Sequence, residues 1–156
     1  MTTTNVRLLV VDASVVRSAG ESEHPQSSAC RRCLLAIRDI CHRVAVTPDI
    51  REEWRRHMSR FSRTWRHSMA ARRKPLVHVA PAHVPIDMTT YSDAARAAIK
   101  KDLCLLEAAL AADRVIVTRD DSLREALSGR PDGMVLLQSV RWINPVTDGP
   151  EALRTL

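Results

Sequence analysis

The run VRLLVV at residues 6–11 is apolar at every position except Arg7, and it stops at Asp12. An apolar run without alternation suits a strand buried on both faces, and such strands belong to parallel sheets covered by helices. The rest of the chain must then supply covering helices and further strands. After a polar stretch with Gly20 and Pro25, Ser27 or Ser28 is placed to cap a helix running to about His42, and Val44 to Val46 makes a short second strand. Thr47 is a natural N-cap, Pro48 fits the first helical position, and Asp49 favours the dipole of that first turn. The helix begun there is expected to run through Trp54, Met58 and Phe61 towards residue 70. Residues 72–90 carry three prolines among alternating apolar residues, which predicts a loop, an edge strand or both. A helix from about Ser92 to Ala112 has an apolar face of Ile99, Leu103, Leu106 and Leu110. A strand at Arg114–Val117, a short helix at Ser122–Leu127 and a last strand at Met134–Leu137 complete the pattern.

Strands alternating with helices predict an α/β fold, a three-layer α/β/α sandwich around a mainly parallel sheet. The 156 residues fit one domain, 1–156, with its core at about 6–142, and no internal repeat divides them. With three Trp, one Tyr and one Phe, the interior must be built from Leu, Val, Ile and Ala. No apolar run is long enough to span a membrane, so no membrane partner is expected. The opening MTTTNVRLLVVDAS has no basic leader and its apolar stretch is broken by Asp12, which predicts a cytoplasmic protein.

Several kinds of chemistry are disfavoured. Cys30 and Cys33 form a CxxC, but with Leu34, Ile37 and Cys41 they fall on one helical stripe, so a buried apolar face is the better reading than zinc or redox chemistry. His42, His57, His67, His78 and His83 form no catalytic set, and the four glycines form no phosphate-cradling loop.

The acids are more informative. Ligands of open α/β sheets bind beyond the carboxyl ends of the strands. Asp12 ends the first strand, and Asp120 and Asp121 follow the strand at Val117, after Thr118 and Arg119. Glu52 and Glu53 lie in the first two turns of the helix after Val46, and Asp102 shares a helical side with Leu106 and Ala109. Each has an ordinary alternative, as a turn residue, a helix cap or a surface charge. Brought together, they would repel one another unless a cation joined them. Oxygen ligands of this kind suit magnesium or manganese, and the chemistry that follows is phosphodiester hydrolysis.

VVDASVV, VTPDIREEW and KDLCLLEAALAADRVIVTRDDSL resemble the successive motifs of PIN-domain proteins, a family of small metal-dependent ribonucleases that includes toxins of bacterial toxin–antitoxin pairs. The resemblance implies a PIN-like parallel sheet of four or five strands and an endoribonuclease. It implies Asp12, Glu53, Asp102 and Asp120 as catalytic acids that hold Mg2+ or Mn2+, with Ser14 and Thr118 in support and Asp121 as a further, less regular acid. Glu52 stays an alternative to Glu53. RNA, a cognate antitoxin and a second copy of the chain in a homodimer are the partners implied. The chain departs from the pattern at Asp-Asp-Ser-Leu, where an aromatic residue often closes the last motif, and in its long basic middle.

That middle has no Asp or Glu from Trp54 to Ile86. On a continuous helix Arg56, Arg60 and Arg63 fall on one side, opposite the packing side of Trp54, Met58, Phe61 and Trp65. The arginines are either a solvated face or a surface for nucleic-acid phosphates, and the net charge of +6 accords with both. A noncatalytic RNA-binding or regulatory module would use this face without turnover. A phosphatase or DNA-directed nuclease would share the metal chemistry.

Overall fold

The first strand, β1, is Leu8–Val11, and everything that positions the acids is built around it. A computed structural model describes residues 5–156; residues 1–4, which open the segment read above as no leader, lie outside the described residues. After β1 come α1 (Ala13–Ser18), α2 (Pro25–Ile40), β2 (Arg43–Val46), α3 (Pro48–His57), α4 (Arg60–Ala71) and β3 (Val77–His78). A 3-10 turn at Met88–Thr90 leads to α5 (Asp93–Leu110), β4 (Val115–Val117), α6 (Ser122–Leu127), α7 (Pro131–Ser139), β5 (Arg141–Ile143), α8 (Pro145–Asp148) and α9 (Glu151–Arg154).

The sheet has five strands in the order β3-β2-β1-β4-β5, and every pairing is parallel. Helix α2 packs against α1, α4, α8 and α9, whereas α5 and α7 both pack on α6, giving the two helical layers of an α/β/α sandwich. Leu9, Val10 and Val11 have no exposed surface, which is why the run could be apolar without alternation. From β1 the chain winds outwards through β2 to β3, then crosses back to place β4 on the other side of β1. The reversal makes the carboxyl ends of β1 and β4 a topological switch point, where adjacent loops part and leave a crevice.

Several sequence expectations are corrected. Residues 134–137 are helical, and the last strand is Arg141–Ile143. Burial there falls on Gly133, Leu136 and Val140 while Val135 is 67% exposed, a helical rather than a strand period. The helix expected from Pro48 to about residue 70 is two helices, broken at Met58 and Ser59. Ser59 Oγ caps α4 by accepting from Ser62 N (3.1 Å) and donates to Ala19 O (2.5 Å), while Ser62 Oγ donates to Val16 O (2.7 Å). The two serines thus satisfy the last carbonyls of α1 as well as the start of α4, which a continuous helix would leave unpaired. Arg56 therefore lies on a different helix from Arg60 and Arg63, and the three do not form one helical stripe. The start of α2 moves to Pro25, with His24 rather than Ser27 or Ser28 at the cap.

The CxxC is part of the core, as its stripe predicted. Cys30 and Cys33 are fully buried, and burial pushes their thiols up to about 11 and about 12, so neither is a ready thiolate. Cys41 leaves that stripe: it is exposed, in the left-handed conformation that ends α2 (φ 78°). Residues 72–90 contain both expected features, since β3 is the edge strand and the remainder is loop apart from the 3-10 turn at Met88–Thr90. No helix among the described residues is long and apolar enough to cross a membrane.

His42 ties the first strand to the C-terminal helix. It is fully buried; Nδ1 accepts from Arg7 N (3.0 Å) and Nε2 donates to Leu153 O (2.8 Å). Protonating Nδ1 would set two donors against each other. Burial lowers the His42 titration, and the charges of Arg7 and Lys74 lower it further against the opposing hydrogen bond to Leu153. The unfolded chain therefore takes up this proton first, so the contribution is intact above a pH of about 6.5 and is lost as the pH falls below it. Urea titrations of the wild type and His42→Asn between pH 8 and 5 are expected to show the wild type losing more stability on acidification. Parallel losses in the two proteins would remove His42 as the cause.

Candidate functional site

Asp12 is the first residue past β1, and its backbone continues the ladder, with Asp12 N donating to Val117 O at 2.9 Å. Its carboxylate is held on one side only. Oδ2 accepts from Ser14 Oγ (2.7 Å) and from Thr118 Oγ1 (2.8 Å), and among the described residues no donor engages Oδ1. Thr118 is 3% exposed at the end of β4, so its hydroxyl links the two central strands. The same oxygen accepts from Asp120 N (3.1 Å), which shapes the turn that presents the next acid. Ser14 Oγ in turn accepts from Arg119 N (3.3 Å). The two hydroxyls singled out beside the acids thus form one network with them.

Asp120 Oδ1 accepts from Ser122 N (2.9 Å), and Oδ2 faces Lys101 Nζ at 3.5 Å. Hydrogen bonding to Ser122, with Lys101 adding to it, holds the Asp120 carboxyl below its ordinary titration. Lys101 and Asp102 are consecutive on α5, yet both line the same cleft. Successive side chains of a regular helix point about 100° apart. The helix is irregular here, because Asp102 has non-helical angles (φ −115°, ψ 15°). Asp102 is pushed up to about 6, first by burial and then by the charge of Asp12, with Asp120 and Glu53 adding to it against the opposing pull of Lys101. All three other expected acids therefore act on this one carboxyl.

Glu53 precedes Trp54, which is 1% exposed and donates from Nε1 to Val11 O at 2.9 Å. That bond fastens α3 to the strand end from which Asp12 projects. Glu53 lines the cleft and has His57 Nε2 3.6 Å from Oε2. Glu52 is occupied elsewhere: Oε2 accepts from Arg55 Nε (2.9 Å), and Oε1 from Arg55 Nη2 (2.7 Å) and Arg56 Nε (3.1 Å). The Arg55 hydrogen bonds are the main reason its carboxyl falls to about 2. Glu52 lines a neighbouring hollow and not the cleft.

The cleft has a volume of about 440 Å³, and Asp12, Glu53, Asp102, Asp120 and Asp121 all line it, with Ser14. Asp121 stands at the cap of α6 without making a cap bond, 3.5 Å from Arg124 Nη1. Arg56 lines the adjoining hollow, whereas Arg60 and Arg63 are exposed on α4 and do not line the cleft. Sequence reasoning missed the basic residues of the cleft itself, Arg17, His57, Lys101 and Arg119. Adjacency to the assigned acids was an available signal for Lys101 and Arg119; nothing in the sequence marked Arg17.

The donor chemistry of the cleft suits a hard divalent cation: several carboxylates line it, their charges raise the titration of Asp102, and one oxygen of Asp12 is open. The distances do not form a ready-made cage. Among the described residues no group of three or more His, Cys, Asp or Glu side chains is arranged to hold a metal ion. Asp12 Oδ2, Glu53 and Asp120 each lean on a protein partner. The chain matches no family model and no curated protein.

Proposed function

We propose that this chain is a metal-dependent endoribonuclease of the PIN-domain kind, with Asp12, Glu53, Asp102 and Asp120 as the residues that hold Mg2+ or Mn2+. The observation that carries the reading is the convergence of these acids, from two strand ends and two helices, on one cleft at the switch point of the sheet. Bound there, the ion would activate a water and offset the charge growing on the phosphate. The chain's own contributions are distinct. Ser14 and Thr118 hold Asp12 in a single orientation, and Trp54 fixes the helix that carries Glu53. Arg17, Lys101 and Arg119 place positive charge among the acids, where a phosphodiester would otherwise be repelled. Arg60 and Arg63 extend that charge over α4, and contacts of this kind position a strand without reading its sequence. RNA is preferred to DNA on the resemblance of the motifs.

A noncatalytic RNA-binding module is the second reading, favoured by the lack of a preassembled metal cage among the described residues. The two part in one experiment. Wild type and Asp120→Asn are incubated with a panel of structured RNAs and matched single-stranded DNA, each with manganese, magnesium or EDTA. Cation-dependent RNA cutting that disappears in EDTA and in the folded variant is the expected result. RNA binding without cleavage by the wild type would replace the nuclease with the binding module, and cutting of DNA alone would redirect the substrate.

A further inference from the structure

The carboxylate cleft contains its own cation. Lys101 Nζ lies 3.5 Å from Asp120 Oδ2, and the helix irregularity at Asp102 brings Lys101 to the same cleft as its neighbour. Lys101 also lines the two hollows that adjoin the cleft, so it stands where all three meet. The other basic partners of nearby acids are committed differently. Arg55 and Arg56 pair with Glu52, Arg124 with Asp121 and His57 with Glu53, whereas Lys101 stands against Asp120 with Asp102 and Asp12 on the same cleft.

We propose that Lys101 is a tethered counter-cation that partly neutralises the carboxylate cleft and thereby sets how tightly the cleft takes a divalent ion. The inference rests on the metal-site reading above. An ammonium cannot ligate a metal, but it repels one placed among the same oxygens, and it occupies an oxygen of Asp120 that an ion would need. The Lys101 side chain is 69% exposed, so it can swing outwards without giving up a packed environment. The protein therefore exchanges one cation for another, and the exchange weakens apparent metal affinity while keeping the metal-free cleft from repelling itself apart.

The test uses the full chain, titrated calorimetrically with MnCl2 at pH 7.5 and low ionic strength. Lys101→Met is expected to bind Mn2+ ~3- to 10-fold more tightly than the wild type, with the difference shrinking in high salt. Lys101→Arg retains the charge and is expected to stay near the wild-type affinity. Lys101→Gln provides a second neutral variant should Lys101→Met misfold, with circular dichroism as the check. Saturable Mn2+ binding that neutral substitution leaves unchanged or weakens would overturn the inference alone; weaker RNA binding in that case would assign Lys101 to the phosphate instead. No Mn2+ binding in the wild type or either neutral variant would overturn the metal-site reading and this inference with it. Binding in the neutral variants but not in the wild type would be its strongest support.

Discussion

Asp12→Asn is expected to preserve the fold and to reduce cation-dependent RNA cleavage at least ~100-fold. The substitution is nearly isosteric. An asparagine carbonyl oxygen can accept the hydroxyls of Ser14 and Thr118 as Asp12 Oδ2 does, which leaves the link between β1 and β4 intact. The amide group then turns towards the cleft, placing a donor where a cation needs an acceptor. The variant carries an internal control, because Asp12 is the strongest charge acting to raise Asp102. Its removal should bring the Asp102 titration down from about 6, measurable by carboxyl NMR without metal or substrate. Undiminished cleavage by folded Asp12→Asn, with contaminating nuclease excluded, would sink the catalytic assignment. An unmoved Asp102 titration would show that the acids are not coupled as the cleft requires.

Asp102→Asn is expected to make the protein more stable and less active at once. The folded protein keeps the Asp102 proton up to a pH of about 6, whereas the unfolded chain releases it near 3.8. Between these values the folded state binds more protons, so stability falls as the pH rises, and the deficit is fully present above about 6. A neutral asparagine removes it. The full shift corresponds to about 3 kcal/mol, and solvent screening of this partly exposed group brings the expected gain to about 2 kcal/mol at pH 7.5, or roughly 5 °C in Tm, vanishing near pH 4. Mn2+ should raise the Tm of the wild type more than that of the variant, because an ion offsets the same charge. A variant no more stable than the wild type at pH 7.5 would show that Asp102 is not a strained carboxylate. Raised stability with full activity would separate the strain from catalysis.

The sequence by itself determined the kind of sheet and the strands at its centre. Continuous apolar runs at 8–11 and 115–117 have few physical solutions in a chain this size, and burial on both faces is the one observed. Thr47 and Pro48 placed the start of α3 for equally local reasons. Asp12 and Asp120 could be picked out because they follow strand ends, whereas Glu53 and Asp102, in the middle of α3 and α5, were singled out by the resemblance of their segments to family motifs. The tertiary structure decided what depends on partners distant in the chain. The break between α3 and α4 exists because Ser59 and Ser62 meet carbonyls of α1, more than forty residues earlier for Ser62 and forty for Ser59. Residues 134–137, whose composition suits a strand, lie in a helix that packs on α6 and buries Gly133 and Leu136. Glu52 and Glu53 are adjacent and chemically alike in sequence; the long-range bond of Trp54 to Val11 O orients α3, with Glu53 on the cleft and Glu52 paired one turn on with Arg55 and Arg56. For Lys101 the sequence showed its adjacency to Asp102 but not its place in the cleft. A regular helix would point it away from Asp102, and only the structure shows the irregular angles at Asp102 and both side chains on one cleft.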